Sequence, residues 1–219
     1  MDVSQRQARR VSSLRLDHVI YAVADLDTAG RRFYEQFGLA SVEGGRHPGW
    51  GTANRVVPLG DAYLELVTVV DFDEAASSDF GCAVLKTMTT GRHLVGWGVA
   101  TDELEAVAHR LSLEVSRGSR TRPDGTTLSW QLAGLASSLE TGALPFFIEW
   151  GGAHALHPGN ALVDHRSIPR GIAWVEVAAD QQSLRSWLSD FDFDLRIVDG
   201  PPRLSAVSIA TDAGERVFR

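Results

Sequence analysis

Two glutamates stand inside apolar strands of this 219-residue chain. Glu65 lies in the run YLELV with Tyr63 and Val67 on its own face, and Glu149 lies in the run FFIEW. A carboxylate among such neighbours is costly to bury unless it is paired or bound to a cation. The two therefore read as candidate catalytic or cation-binding groups. A further stretch, GGRHPGWGTANR at residues 44–55, spends four glycines around His47, Trp50 and Asn54. Glycine loosens the backbone at an entropic cost, which a purely structural hairpin has little reason to bear. His47, Trp50 and Asn54 are accordingly candidate substrate-binding residues, the first two on a mobile flap over a cleft.

Register ties Asn54 to Glu65. The strands TANRVVPLG and YLELVTVV flank Gly60 and Asp61, a two-residue hairpin turn. That turn sets Val56 opposite Glu65 and Asn54 opposite Val67, so Asn54 and Glu65 share a face of the sheet. On this reading Asn54→Ala weakens ligand binding and barely changes stability, because the lost amide serves the ligand.

The elements that must position these groups recur. LDHVIYAV is a strand, and Asp25 caps a helix in which Leu26, Ala29, Phe33 and Phe37 recur at helical spacing until Gly38 stops it. Three strands follow, giving β-α-β-β-β over residues 16–70. The order returns from HLVGWGVA to Gly151, and again from GIAWVEVA to the end. The fold class expected is α+β: tandem βαβββ modules forming a curved mixed sheet with helices outside, plus a third C-terminal βαβββ-like unit. The divisions are a loose, disordered tail at 1–13, a first module at 14–92, a second at 93–170 and a partial third at 171–219. The second includes a long linker, 151–170, with three histidines, of which His157 follows the Glu149 strand and is a further candidate for substrate binding. The third unit has Ile172 where the first has His18, which gives it a structural role: covering a sheet edge or face, or making a homodimer contact.

Composition narrows the function. The formal charge is −7, which favours neither nucleic acid nor an anionic membrane as partner. Cys82 is alone, so no disulfide framework and no cysteine zinc cluster is expected. There is no apolar run of the ~20 residues a membrane span needs. The opening MDVSQRQARRVSS lacks the apolar stretch of a secretory signal, which makes the cytoplasm the default location. Neither a phosphate loop nor a G-x-S-x-G elbow is present.

The tandem repeat headed by DHVIYAVADLDTA resembles the vicinal oxygen chelate superfamily of glyoxalase I, extradiol dioxygenases and bleomycin-resistance proteins. GGRHPGWGTANRVVPLGDAYLELV with LPFFIEW resembles its glyoxalase-like domain proteins, over about residues 14–178. The resemblance implies two modules closed around a cleft, with a metal ion held near the head of the first strand and on the last strand of each module. Carried over, the metal ligands are His18, Glu65 and Glu149; Leu94 falls at the fourth position, with His93 one residue away. A His and two Glu suit Mn²⁺, Fe²⁺, Ni²⁺, Zn²⁺ or Mg²⁺. The function implied is a metal-dependent lyase, isomerase or dioxygenase for a small oxygenated molecule, with Glu65 or Glu149 moving the proton. The alternative is a metal-free protein that sequesters a small molecule, as bleomycin-resistance proteins do.

Overall fold

The computed structural model describes residues 14–121 and 125–219. The tail expected at 1–13 lies outside the described residues. The first module is β1 (Arg15–Ala22), α1 (Leu26–Phe37), β2 (Val42–His47), β3 (Thr52–Pro58) and β4 (Tyr63–Val69). Its helix is capped as the sequence requires. The Thr28 N–H donates to Asp25 Oδ1 at 2.8 Å, and Gly38 ends the helix at φ 73°.

Residues 71–92, for which no element is expected, form α2 (Phe72–Ala76) and α3 (Asp79–Thr89). Asp71 and Ser78 cap them, and α3 buries Phe80 and Val84 one turn apart. The second module is β5 (Leu94–Ala100), α4 (Leu104–Leu111), β6 (Val115–Thr121), β7 (Thr127–Ala133), α5 (Leu135–Thr141) and β8 (Phe146–Gly151). α5, like α2 and α3, is an element without an expectation.

The two modules share one eight-stranded mixed sheet in the order β2-β3-β4-β1-β5-β8-β7-β6, joined where β1 runs antiparallel to β5. The sheet curls into a half-barrel whose edge strands β2 and β6 approach each other. α1 and α4 pack Phe33, Leu104 and Ala108 on its convex side with Trp97, Val99 and Leu64. α3 and α5 fill part of the concave side, packing Phe80, Val84, Leu135 and Leu139 with Ile20, Val67, Phe146 and Ile148.

The third unit is β9 (Pro169–Ala178), α6 (Gln181–Leu188), β10 (Asp194–Val198), β11 (Arg203–Thr211) and β12 (Gly214–Phe218). It forms its own sheet in the order β10-β9-β11-β12. Val175, Val177, Leu204, Val207 and Ile209 join the convex-side core of the half-barrel. No helix among the described residues is long and apolar enough to cross a membrane.

Candidate active site

The concave face is organised by a bulge in β1. Leu16 pairs with Val99 and His18 with Gly98, which leaves Asp17 as an extra residue between them. A bulge breaks the strict alternation of side chains, so Asp17 and His18 both turn inward and touch: Asp17 Oδ1 lies 2.5 Å from His18 Nδ1. On the neighbouring strand Ile20 pairs with Glu65, which sets Glu65 beside His18. The β3–β4 hairpin has the register expected from its two-residue turn, with Asn54 opposite Val67 and Val56 opposite Glu65. Asn54 and Glu65 meet directly, Nδ2 donating to Oε1 at 2.5 Å.

Two imidazoles flank the Glu65 carboxylate. His18 Nε2 lies 3.9 Å from Oε2 and His47 Nε2 lies 3.6 Å from Oε1. His47 is steadied by Thr52, with Nδ1 2.9 Å from Oγ1. Burial pushes the His47 pKa below the ordinary histidine value; the Glu65 charge opposes this and the Arg120 charge reinforces it. Tyr63 stacks on His18 at 4.4 Å between ring centroids. Burial, then the charges of Asp17 and Glu65, raise its phenol well above the usual range.

The cavity also receives a positive charge from Arg120 on β6, a residue for which the sequence offers no expectation. Its Nη1 donates to Asn54 Oδ1 at 2.8 Å, across the seam where β6 approaches β2. Gly44 keeps that seam open. A Cβ there would collide with Asn54 Oδ1 and sit 2.5 Å from Arg120 Nη1. This accounts for one of the glycines in the GGRHPGWG stretch by close approach rather than by flexibility.

The expected role of Asn54 changes accordingly. Its amide is engaged by two protein groups, Glu65 and Arg120, rather than kept for a ligand. Asn54→Ala removes one buried partner from each of them, so we expect a loss of about 1–3 kcal/mol of stability. Urea denaturation checks this; an unchanged midpoint and slope would show that neither bond contributes to the fold.

These groups line a cavity of about 510 Å³, counting its open mouth. Its apolar walls include Trp50, Phe80, Trp130, Phe146 and Trp150. The expected flap takes a defined form. Residues 48–51 are a short turn between β2 and β3, and Trp50 packs on Phe80 with ring centroids 4.8 Å apart. The Gly51 carbonyl accepts the Val70 and Asp71 N–H groups, and the Gly49 N–H donates to Glu74. The turn is thus docked on the segment that carries α2 and α3.

Two of the expected site residues lie elsewhere. Glu149 is turned away from the cavity, where its Oε2 accepts the Leu104 N–H at 3.0 Å at the start of α4. Ile148 and Trp150, on either side of it, line the cavity instead. Glu149 therefore caps a helix and does not meet Glu65. His157 does not line this cavity either; its Nε2 lies 3.0 Å from Asp17 Oδ2, behind His18.

The register also locates the true counterparts of His18 and Glu65. The Val23 N–H to Val67 O bond at the end of β1 recurs as Thr101 N–H to Ile148 O at the end of β5. Counting back from these pairs, His18 corresponds to Gly96 rather than Leu94, and Glu65 to Phe146 rather than Glu149. β5 does carry a bulge, with Ile20 opposite Gly96 and Tyr21 opposite Leu94, but it does not bring His93 inward. His93 stacks on Tyr21 and bonds to Ala22 O at 2.9 Å.

The metal implied by the resemblance can be tested against these donors. The second module offers Gly96 and Phe146, neither of which can bind an ion. Among the described residues no group of three or more His, Cys, Asp or Glu side chains is arranged to hold a metal. The residues present do not fit the implied ion.

Two βαβββ modules sharing one curled sheet around a cleft place the protein in the vicinal oxygen chelate class. A family model described as "glyoxalase-like domain" matches residues 16–191, and the chain belongs to that family. No curated protein matches it. Among solved structures, a hypothetical protein from Staphylococcus aureus is similar over 94% of this chain and 99% of its own, with a TM-score of 0.67 at 19% identity. Methylmalonyl-CoA epimerase from Mycobacterium tuberculosis covers 65% of this chain and 91% of its own, with a TM-score of 0.45 at 19% identity. A variant of the Streptomyces coelicolor methylmalonyl-CoA epimerase, in complex with 2-nitronate-propionyl-CoA, covers 64% of this chain and 100% of its own, with a TM-score of 0.48 at 17% identity.

Proposed function

We propose that the chain is an isomerase- or lyase-type enzyme that moves a proton beside a carbonyl group of a small oxygenated molecule, with Glu65 as the acid–base residue. One observation carries this reading: a buried carboxylate lies between two imidazole Nε2 atoms at the bottom of an aromatic-walled cavity. A carboxylate so placed takes a proton from a carbon acid. The enolate oxygen that forms then faces His47, while His18 Nε2 beside Glu65 shares the abstracted proton. Return of the proton to carbon gives isomerisation, and departure of a β-substituent gives elimination. Trp50, Phe80 and Trp130 exclude water and hold the substrate's apolar part. No step is routed through a metal, because Gly96 and Phe146 stand where the second module would have to supply ligands.

Those same two residues also favour a second reading, in which the cavity only binds. A panel of ketones, 2-oxo acids and hydroxy acids separates the two. Binding is read by quenching of tryptophan fluorescence, since Trp50, Trp130 and Trp150 line the cavity. Proton transfer is read by ¹H NMR as exchange of the carbon-bound proton in D₂O. We expect at least one compound to bind and to exchange. Binding without exchange throughout the panel would favour the sequestering protein. Elemental analysis after purification with Mn²⁺, Ni²⁺ or Zn²⁺ should show less than one ion per chain, and a stoichiometric ion would overturn the metal-independent form of the proposal.

A further inference from the structure

Behind His18 lies a buried network that the proposed proton transfer does not use. Asp17 is 1% exposed. Its Oδ1 faces His18 Nδ1 at 2.5 Å, and its Oδ2 takes two bonds, from Trp150 Nε1 at 2.9 Å and from His157 Nε2 at 3.0 Å. An ionised carboxylate only accepts hydrogen bonds, so each facing nitrogen carries a proton. The indole N–H has no other form. His157 is fixed independently, because its Nδ1 accepts the Gly159 N–H at 3.1 Å, which leaves its proton on Nε2.

The backbone seats His157 at this spot. Gly159 packs on the β3–β4 turn so closely that a Cβ would collide with Gly60 O, and its own carbonyl accepts the Gly60 N–H. The linker histidine is thereby built into the site from the segment that follows β8.

We infer that Asp17, clamped by Trp150 and His157, is a positioning residue that keeps the proton of neutral His18 on Nδ1 and turns the Nε2 lone pair towards Glu65 in the cavity. One nitrogen of an imidazole is set by the bond the other makes, and His18 Nδ1 can only donate to this carboxylate. The effect on turnover rests on the proposed proton-transfer function, whereas the tautomer can be observed without any substrate.

The substitution Asp17→Asn makes the inference specific. Two fixed N–H donors meet at the Oδ2 position, so the asparagine carbonyl must take that place. Its NH₂ then faces His18 Nδ1, which has to accept, and the His18 proton moves to Nε2. The lone pair leaves the cavity while the shape of the site stays the same.

The measurement is ¹⁵N-resolved NMR of the histidine rings in the full chain, at a pH well above the ordinary histidine range. In the wild type His18 should show a protonated Nδ1 and an unprotonated Nε2, and His157 the reverse. In Asp17→Asn the His18 pattern should invert. With a substrate from the panel, kcat should fall ~10²–10⁴-fold with KM nearly unchanged. A wild-type His18 protonated on Nε2 overturns the inference even if the variant does not fold, and so does an unmoved tautomer in a folded variant. If the tautomers are as stated but Asp17→Asn turns over normally, the positioning role is lost while loss of activity in Glu65→Gln still upholds the proposed function.

Discussion

Glu65→Gln should abolish proton exchange, with a loss of ~10²–10⁴-fold or more, while leaving the fold and the cavity intact. The substitution keeps the size and shape of the side chain. It also keeps an oxygen to accept the Asn54 N–H, now held at 2.5 Å. The new amide N–H can face His18 Nε2, which lies 3.9 Å from the present carboxylate oxygen. What disappears is the group that accepts a proton. We therefore expect ligands to bind the variant about as tightly as the wild type, with stability changed by less than ~1 kcal/mol. Retention of exchange at the wild-type rate would remove Glu65 from the reaction. Loss of binding together with exchange would assign the carboxylate to recognition instead. Glu65→Ala is the poorer test, since it leaves a gap beside Asn54 and two imidazoles and mixes a stability loss into the activity loss.

The path from sequence to this carboxylate is short, because its apolar neighbours mark Glu65 and a turn length pairs it with Asn54. Strand alternation is a strict rule, and the hairpin obeys it. Glu149 carries the same mark but obeys a different need. It sits one residue off the inward set of β8, where Phe146, Ile148 and Trp150 face the cavity, and it meets the first N–H groups of α4. An unpaired helix start and an unpaired cation both attract a carboxylate, and the local sequence does not distinguish them. The helix starts do. Setting Leu26 against Leu104 without a gap brings LDHVIYAVADL over LVGWGVATDEL, which puts Gly96 opposite His18 and removes the second donor at once.

Other parts of the site have weaker signals or none. The run EAASSDFGCAV contains Ser78 as a cap and Phe80 and Val84 at helical spacing, which is enough to expect α3. Arg120 lies in VSRGSR on an edge strand among small polar residues, where an arginine ordinarily faces solvent. Only the closing of the half-barrel, with Gly44 leaving room, turns it inward. The bulge at Asp17 is equally silent in sequence, yet it is what allows two consecutive residues to turn to the same side of the sheet, Asp17 standing behind His18.

Deleting residues 171–219 should destabilise the protein far more than any single substitution, and we expect the truncated chain not to fold. The four-stranded sheet buries its inner face on the convex side of the half-barrel, where Val175, Val177, Val207 and Ile209 are fully covered together with Trp97 and Leu66. The last strand is part of this packing. Phe218 stacks on Phe33 at 5.3 Å and meets Phe37 edge-on at 4.9 Å, both from α1. α6 adds two hydrogen bonds to the second module, where Arg110 reaches the Ser186 and Trp187 carbonyls. Full burial of each large apolar side chain is worth ~1.5–3 kcal/mol, while a whole domain is stable by only ~5–15 kcal/mol. Uncovering several such groups on both partners therefore exceeds what the two remaining modules can lose. A single change gives the graded version: Phe218→Ala should cost about 3–5 kcal/mol, read as a lowered urea midpoint with the slope unchanged. A truncated protein that stays soluble, monomeric and as stable as the full chain would show that the third unit is an appendage. The same result would mean that the aromatic contacts between β12 and α1 carry no weight, and Phe218→Ala should then leave the midpoint where it was.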